Sequence, residues 1–175
     1  MSDSEELFTN RLHLRRPVET DATAVVPIVG DWEVARRLGR VPHPYHRSDF
    51  DEFLTHVVPN EPTWAIVLRH TNELIGMTGL LPHAEGLSAE LGYYLGRPYW
   101  SCGFATEAGQ SVVRFGLDRM RCAKLTSRYH ADNPASGKVL AKLGFKAIGT
   151  SNYPCLAEGR NKPSVEMELL RQADF

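Results

Sequence analysis

The stretch Glu90 to Leu117, ELGYYLGRPYWSCGFATEAGQSVVRFGL, constrains this chain more than any other. It reads as a short aromatic strand, a glycine-punctuated turn at Trp100-Ser101-Cys102-Gly103-Phe104-Ala105, and then a helix. In that helix Ala105, Ala108, Val112 and Phe115 recur at helical spacing, and Val113 and Leu117 widen the buried face. A strand that enters a helix through such a turn leaves several N–H groups unpaired at the helix start, with the positive end of the helix dipole behind them. That arrangement suits a phosphate or pyrophosphate. Glycine at a turn also serves purely geometric ends, so the rest of the chain has to decide.

Upstream, residues 11–15 alternate polar and apolar before Pro17, as a strand with one buried face does. Thr20 and Asp21 offer N-cap oxygens to a helix carrying Ala22, Val25, Val26 and Val29, and Asp31 to a second one over Trp32–Leu38. The two prolines of Val41-Pro42-His43-Pro44-Tyr45-His46 predict a loop. Ser48 with Asp51 resembles a capping arrangement for a helix presenting Phe50, Phe53, Leu54 and Val57. Thr63–Leu68 and Leu74–Leu81 read as a hairpin around Thr71-Asn72-Glu73, and a turn at His83-Ala84-Glu85-Gly86 leads into the opening strand.

Downstream, Lys124–Tyr129 alternates as a strand, and Asn133-Pro134 opens a helix that Gly144 stops. Phe145–Ser151 and Ser164–Leu170 read as closing strands joined by an irregular Asn152–Pro163 segment, the last strand being an exposed edge able to pair with another copy in a homodimer. The expectation is one α+β domain over residues 1–175, a mixed, mostly antiparallel sheet with helices on both faces.

Composition excludes several classes. With 20 basic and 21 acidic residues the net charge is -1, and no basic cluster marks a nucleic-acid footprint. Cys102, Cys122 and Cys155 are an odd number without a CxxC pair, which speaks against a disulfide framework and a zinc site and fits a reducing cytoplasm. His43 and His46 lack an evident third ligand, so no metal is expected. The acidic N-terminus is no signal peptide, and no run of about 18 apolar residues suggests a membrane span.

Five short motifs then occur in order: Glu90-Leu91-Gly92-Tyr93-Tyr94-Leu95, Tyr99-Trp100, Gly103-Phe104-Ala105-Thr106-Glu107-Ala108, Asn133-Pro134-Ala135-Ser136 and Leu143-Gly144-Phe145. In these the chain resembles the GNAT superfamily of acyl-CoA-dependent N-acetyltransferases from about Leu12 to Leu170, with the nearest likeness to the RimJ/RimL-type branch that acetylates ribosomal-protein N-termini. The resemblance implies acetyl-CoA as cosubstrate. Its pyrophosphate would rest on the amides of Cys102, Gly103, Phe104, Ala105 and Thr106, and its pantetheine arm on backbone groups of Tyr94 and Leu95 and the side chain of Asn133. Glu90 stands where some superfamily members carry the general base, and Ser136 where the branch has a serine proposed to protonate the coenzyme thiolate, with Tyr129 as an alternative acid.

The chain departs from the family pattern at Ser101-Cys102, where glycine and a basic or amide residue are usual, and at Cys155, where RimL-type enzymes carry a further glutamate, Glu158 lying nearby. Cys102 at a helix start also suggests an acyl-accepting thiol, but no histidine stands near it in sequence. The acceptor pocket is expected among the first helices, the loop with His43, Tyr45 and His46, and the 152–163 segment. The leading expectation is acetyl transfer to a peptide or protein α-amine. A small amine such as an antibiotic, polyamine or amino acid is the near alternative, and a non-catalytic acyl-CoA-binding module is the rival from another class. A nucleotide-binding protein is disfavoured, because no Lys-Ser or Lys-Thr follows the glycine.

Overall fold

A computed structural model describes residues 5–83 and 87–172. Among the described residues eight strands make one sheet: β1 (Leu7–Phe8), β2 (Leu12–Arg15), β3 (Thr63–Leu68), β4 (Leu74–Pro82), β5 (Ser88–Leu95), β6 (Lys124–His130), β7 (Lys146–Cys155) and β8 (Arg160–Leu170). Their order across the sheet is β1-β2-β3-β4-β5-β6-β8-β7. Every neighbouring pair is antiparallel except β5 with β6. The helices are α1 (Ala22–Gly30), α2 (Trp32–Ala35), α3 (Arg47–His56), α4 (Phe104–Arg114) and α5 (Pro134–Lys142), and α4 runs on into a π-helical turn over Phe115–Arg119.

Side chains alternate across each strand, so the sheet builds two cores. Leu12, Leu14, Trp64, Ile66, Leu80, Leu91, Leu125 and Met167 pack with Ala108 and Val112 of α4 and Leu140 of α5. On the other face Ala65, Val67 and Met77 pack with Val25 and Val29 of α1 and Phe50 of α3. β3 is buried on both faces, which is why its sequence, TWAIVL, carries no charged residue. Trp64 is fully buried, edge-on to Phe115 at 5.0 Å, and its indole N–H donates to the Glu5 carbonyl. The mixed sheet with helices on both faces is therefore the architecture the sequence predicts.

Several details differ. Asn152–Pro163 is a hairpin, not an irregular linker: β7 continues to Cys155, Leu156–Gly159 turns with Gly159 at φ 64°, and β8 starts at Arg160. Pro163 is tolerated because its carbonyl meets the Ala131 N–H just past the end of β6, where no β6 ladder asks for a proline donor. β8 consequently lies between β6 and β7, and the edge strand at this end of the sheet is β7. Asp21 does not cap α1. Its carboxylate takes both Nη atoms of Arg15, at 2.8 and 2.7 Å, and the Val18 N–H.

α2 ends at Ala35, short of Leu38, although Asp31 does accept from the Glu33 N–H as a cap. α3 begins earlier than Ser48: Asp49 accepts from the His46 N–H, and Asp51 pairs with Arg47 at 2.8 Å. Residues 84–86 of the expected turn lie outside the described residues, while the flanking strands pair from Pro82 with Ala89 onward.

Candidate active site

β5 and β6 pair only over Ser88–Glu90 with Lys124–Thr126. The Ser127 hydroxyl then holds the Leu91 carbonyl at 2.8 Å, after which β6 continues its ladder with β8 alone. A gap therefore opens between the second halves of two adjacent strands. Antiparallel pairs alternate between bonded and unbonded residues, which fixes what faces this gap. The Leu80 N–H turns from β5 to Pro62 O, and the Gly96 N–H bonds Ile75 O. With Leu80 opposite Leu91, these bonds direct the backbone groups of Tyr94 to Met77 in β4 and those of Tyr93 and Leu95 to the gap. So of the expected pair Tyr94 and Leu95, the pleat turns Leu95 to the gap, with Tyr93 as its companion. The Leu95 carbonyl is taken by the Trp100 indole N–H at 2.8 Å.

On one face of the sheet the gap is flanked by the starts of α4 and α5. Ser101 (φ 61°) and Gly103 (φ 81°) reverse the chain into α4, and the first helix bond is made by the Glu107 N–H to Gly103 O. The amides of Phe104, Ala105 and Thr106 precede that bond and point out of the helix end. Arg11, at the entrance to β2, leans on this turn. Its Nη1 donates to Cys102 O at 3.1 Å, its guanidinium lies 4.3 Å over the Phe104 ring, and its Nε pairs with Glu107 at 2.7 Å. Burial works against the charge of Glu107, yet hydrogen bonds from Thr9 and Arg11 hold its carboxyl below the usual range. The sequence gives no local sign of this cation, since 91 residues separate Arg11 from Cys102. Cys102 is exposed, and its thiol donates to Trp100 O.

At α5, Asn133 occupies the N-cap position but its side chain makes no cap bond. Ser136 Oγ lies 2.8 Å from the Tyr93 hydroxyl, which also reaches Ser136 O at 3.2 Å. Burial pushes the Tyr93 phenol up to about 12. This bridge from β5 to α5 crosses the gap, and the sequence reading did not anticipate Tyr93. Tyr129 lies under α5, where a Cβ on Gly137 would come within 2.7 Å of its hydroxyl.

On the opposite face Glu90 receives Arg128 Nη2 at 2.8 Å. The same guanidinium stands 3.7 Å from Glu166 and 4.2 Å over the Tyr153 ring. Gly92, one pleat on from Glu90, is exposed, and a Cβ there would meet open space. The expected acceptor elements reach this face at Tyr45 and, from the β7–β8 hairpin, at Tyr153. Tyr45 packs in the core beside Tyr94, and burial lifts both phenols, Tyr45 to about 12. His43 lies edge-on to Trp32 and His46 beside Asp49.

The turn of the β7–β8 hairpin is fastened to the segment after α2. The buried Lys162 ammonium donates to Arg36 O, Asp132 and Glu158 at 3.1, 2.8 and 2.9 Å, and Cys155 Sγ lies 3.5 Å from Arg36 O. Glu158, the acid nearest the missing RimL-type glutamate, is thus held in ion pairs with Lys162 and Arg160. Among the described residues no group of three His, Cys, Asp or Glu side chains could hold a metal ion, and no helix is long and apolar enough to cross a membrane.

Comparison with known proteins adds to this geometry. The family model described as an acetyltransferase (GNAT) domain matches residues 11–146. An uncharacterized N-acetyltransferase of Bacillus licheniformis, p20, is 29% identical over 173 residues, 96% of this chain and 97% of its own. Among solved structures, a GNAT-family acetyltransferase from Bacillus anthracis superposes with a TM-score of 0.84 at 19% identity, covering 95% of this chain and 98% of the other. The ribosomal-protein-S5-alanine acetyltransferase of Vibrio fischeri superposes with a TM-score of 0.81 at 16% identity, over 95% and 96% of the two chains.

Proposed function

Because the chain belongs to the GNAT acetyltransferase family and is thereby an acetyl-CoA-dependent N-acetyltransferase acting on amines, we propose that its acceptor is the N-terminal α-amine of a peptide or protein, acetylated by direct transfer in a ternary complex. The observation that carries the reading is the gap between β5 and β6, which opens towards the helix starts of α4 and α5 on one face and towards the Glu90 and Gly92 floor on the other. Donor and acceptor can then meet from opposite sides, as direct transfer requires.

In this reading the amides from Cys102 to Thr106 hold the pyrophosphate of acetyl-CoA, with Gly103 at φ 81° shaping the turn that presents them. Asn133, free of a cap bond, holds the pantetheine arm, and the Leu95 N–H polarises the thioester carbonyl. A carboxylate of the acceptor face accepts the amine proton through water, Glu90 being the one the family likeness marks. Ser136, steadied by Tyr93, protonates the departing thiolate. The exposed Gly92 supports a peptide end, because a chain terminus needs an unobstructed floor.

The test is thiol release from acetyl-CoA across N-terminal peptides, polyamines, aminoglycosides and free amino acids. Preference for peptides by at least about tenfold in kcat/KM is expected, a difference of ~1.4 kcal/mol in transition-state binding. Preference for a small amine would overturn the acceptor assignment. Tight acetyl-CoA binding without turnover of any amine would instead favour a coenzyme-binding module.

A further inference from the structure

We propose that Glu61, and not Glu90, takes the proton from the acceptor amine. The inference rests on the transferase reading above and deepens it. Glu61 belongs to no regular element, but the sheet fixes its place. Thr63 pairs with Gly79, and Pro62 O accepts the Leu80 N–H at 2.9 Å, so the chain before β3 continues its line and brings Glu61 level with Leu81. Leu81 pairs with Glu90. Trp64, Leu80 and Leu91 all face the core under α4, so by alternation Glu61, Leu81 and Glu90 share the opposite face, the one on which Gly92 is bare. Two carboxylates, with Leu81 between them, thus border one side of the bare position at Gly92.

They are not equivalent. Glu90 accepts Arg128 Nη2 at 2.8 Å, so one of its carboxylate oxygens is already engaged by a cation. Glu61 has no hydrogen-bonded partner for its carboxylate among the described residues. The charged groups that act on it are Arg40, from the segment after α2, and Glu90 from β5, with Arg128 reached through Glu90. Burial, reinforced by the charge of Glu90 and opposed by that of Arg40, raises the Glu61 carboxyl above its ordinary range. A carboxylate lifted in this way is the better proton acceptor near neutral pH. Glu90, held by Arg128, sets the negative potential that draws the ammonium in and keeps Glu61 basic.

The step balances. An alkylammonium gives one proton to the Glu61 carboxylate through water, leaving a neutral amine and a carboxylic acid. The nitrogen lone pair forms the C–N bond to the thioester carbonyl, the C–S bond breaks, and the second nitrogen proton passes to the thiolate by way of Ser136. Glu61 then returns its proton to solvent, and the products are the amide and the free thiol.

The experiment measures kcat/KM against pH for wild type, Glu61→Gln and Glu90→Gln, with acetyl-CoA affinity by calorimetry as the folding control. Wild type should show an acid limb. Glu61→Gln should abolish that limb and lower kcat/KM by about a hundredfold or more at unchanged acetyl-CoA affinity. Glu90→Gln should keep the limb and move it to lower pH, because burial still lifts Glu61 while the reinforcing charge of Glu90 is gone. An acid limb that survives in Glu61→Gln, or disappears in Glu90→Gln, overturns the assignment while leaving the transferase reading intact. A wild type that acetylates no amine overturns both.

Discussion

Lys162 offers the sharpest energetic test of how the β7–β8 hairpin is fastened to the segment after α2. Its side chain is 3% exposed, and its ammonium is shared among Arg36 O, Asp132 and Glu158. Lys162→Met keeps most of the stem and deletes the charge. Breaking a buried pair by removing one partner costs about 3–5 kcal/mol. Here the Asp132 side chain is 40% exposed and Arg36 also pairs with it at 3.0 Å, so solvent and a second cation absorb part of the loss. A cost of about 2–3 kcal/mol remains, from Glu158, whose side chain is 11% exposed and keeps only its pairs with arginines, and from the Arg36 carbonyl, left with the weak Cys155 thiol donor at 3.5 Å.

At roughly 2–4 °C per kcal/mol for a domain of this size, Tm should fall by about 4–12 °C. The pH dependence has a definite sign. Hydrogen bonding to Lys162 leads in holding the Glu158 carboxyl below its ordinary value; at Asp132 burial pushes the carboxyl up, but the Lys162 hydrogen bond with the charges of Lys162, Arg36 and His130 brings it below. Groups with depressed folded values bind protons first in the unfolded chain, so their contribution is present above about pH 4.5 and lost as pH falls through the folded values. The deficit of Lys162→Met should therefore be largest at neutral pH and shrink towards pH 3. Urea unfolding followed by circular dichroism at a series of pH values measures both. A deficit below about 1 kcal/mol at pH 7, or one that does not change on acidification, would refute the argument.

Tyr93→Phe removes the hydroxyl that bridges to Ser136, which should cost about 1 kcal/mol of stability and lower kcat several-fold, while acetyl-CoA affinity by calorimetry stays within about twofold. Gly92→Val adds a side chain that meets open space, so the fold should be unharmed in thermal melts, yet the acceptor KM should rise by about tenfold or more with little change for acetyl-CoA. Cys102→Ala should leave turnover within about twofold and no acyl-enzyme should appear by mass spectrometry, because the thiol is spent on Trp100 O; a dead variant would revive nucleophilic catalysis.

Much of this protein is legible in its sequence because its signals are local. The runs of β3 and β4, the Asn72 turn (φ 60°) and the Gly144 stop (φ 94°) are decided within a few residues. The α4 turn is legible for the same reason, glycine being needed at Gly103. The β7–β8 hairpin was hidden because its outer half packs on no apolar core and its prolines read as breakers, while its actual support is Lys162 reaching Arg36 and Asp132. Asp21 misled for a similar reason, since the partner that claims it, Arg15, lies before a proline in a different element. In the site, the α4 and α5 motifs announce themselves by spacing. Arg11 at Cys102, Tyr93 at Ser136, and Glu61 level with Leu81 are products of sheet register, which no short window contains.

The parting of β5 from β6 has one more consequence. A sheet normally keeps its unsatisfied edges at its rims, where charge or curvature guards them. This one carries an edge in its interior, with the Tyr93 and Leu95 backbone turned to a space that no strand fills. In the proposed placement, the amide-built arm of acetyl-CoA would act there as a removable strand, adding to the ladder each time it docks. By mass action, stability would then rise with acetyl-CoA concentration, and the two halves of the molecule would be joined most firmly when the enzyme is loaded.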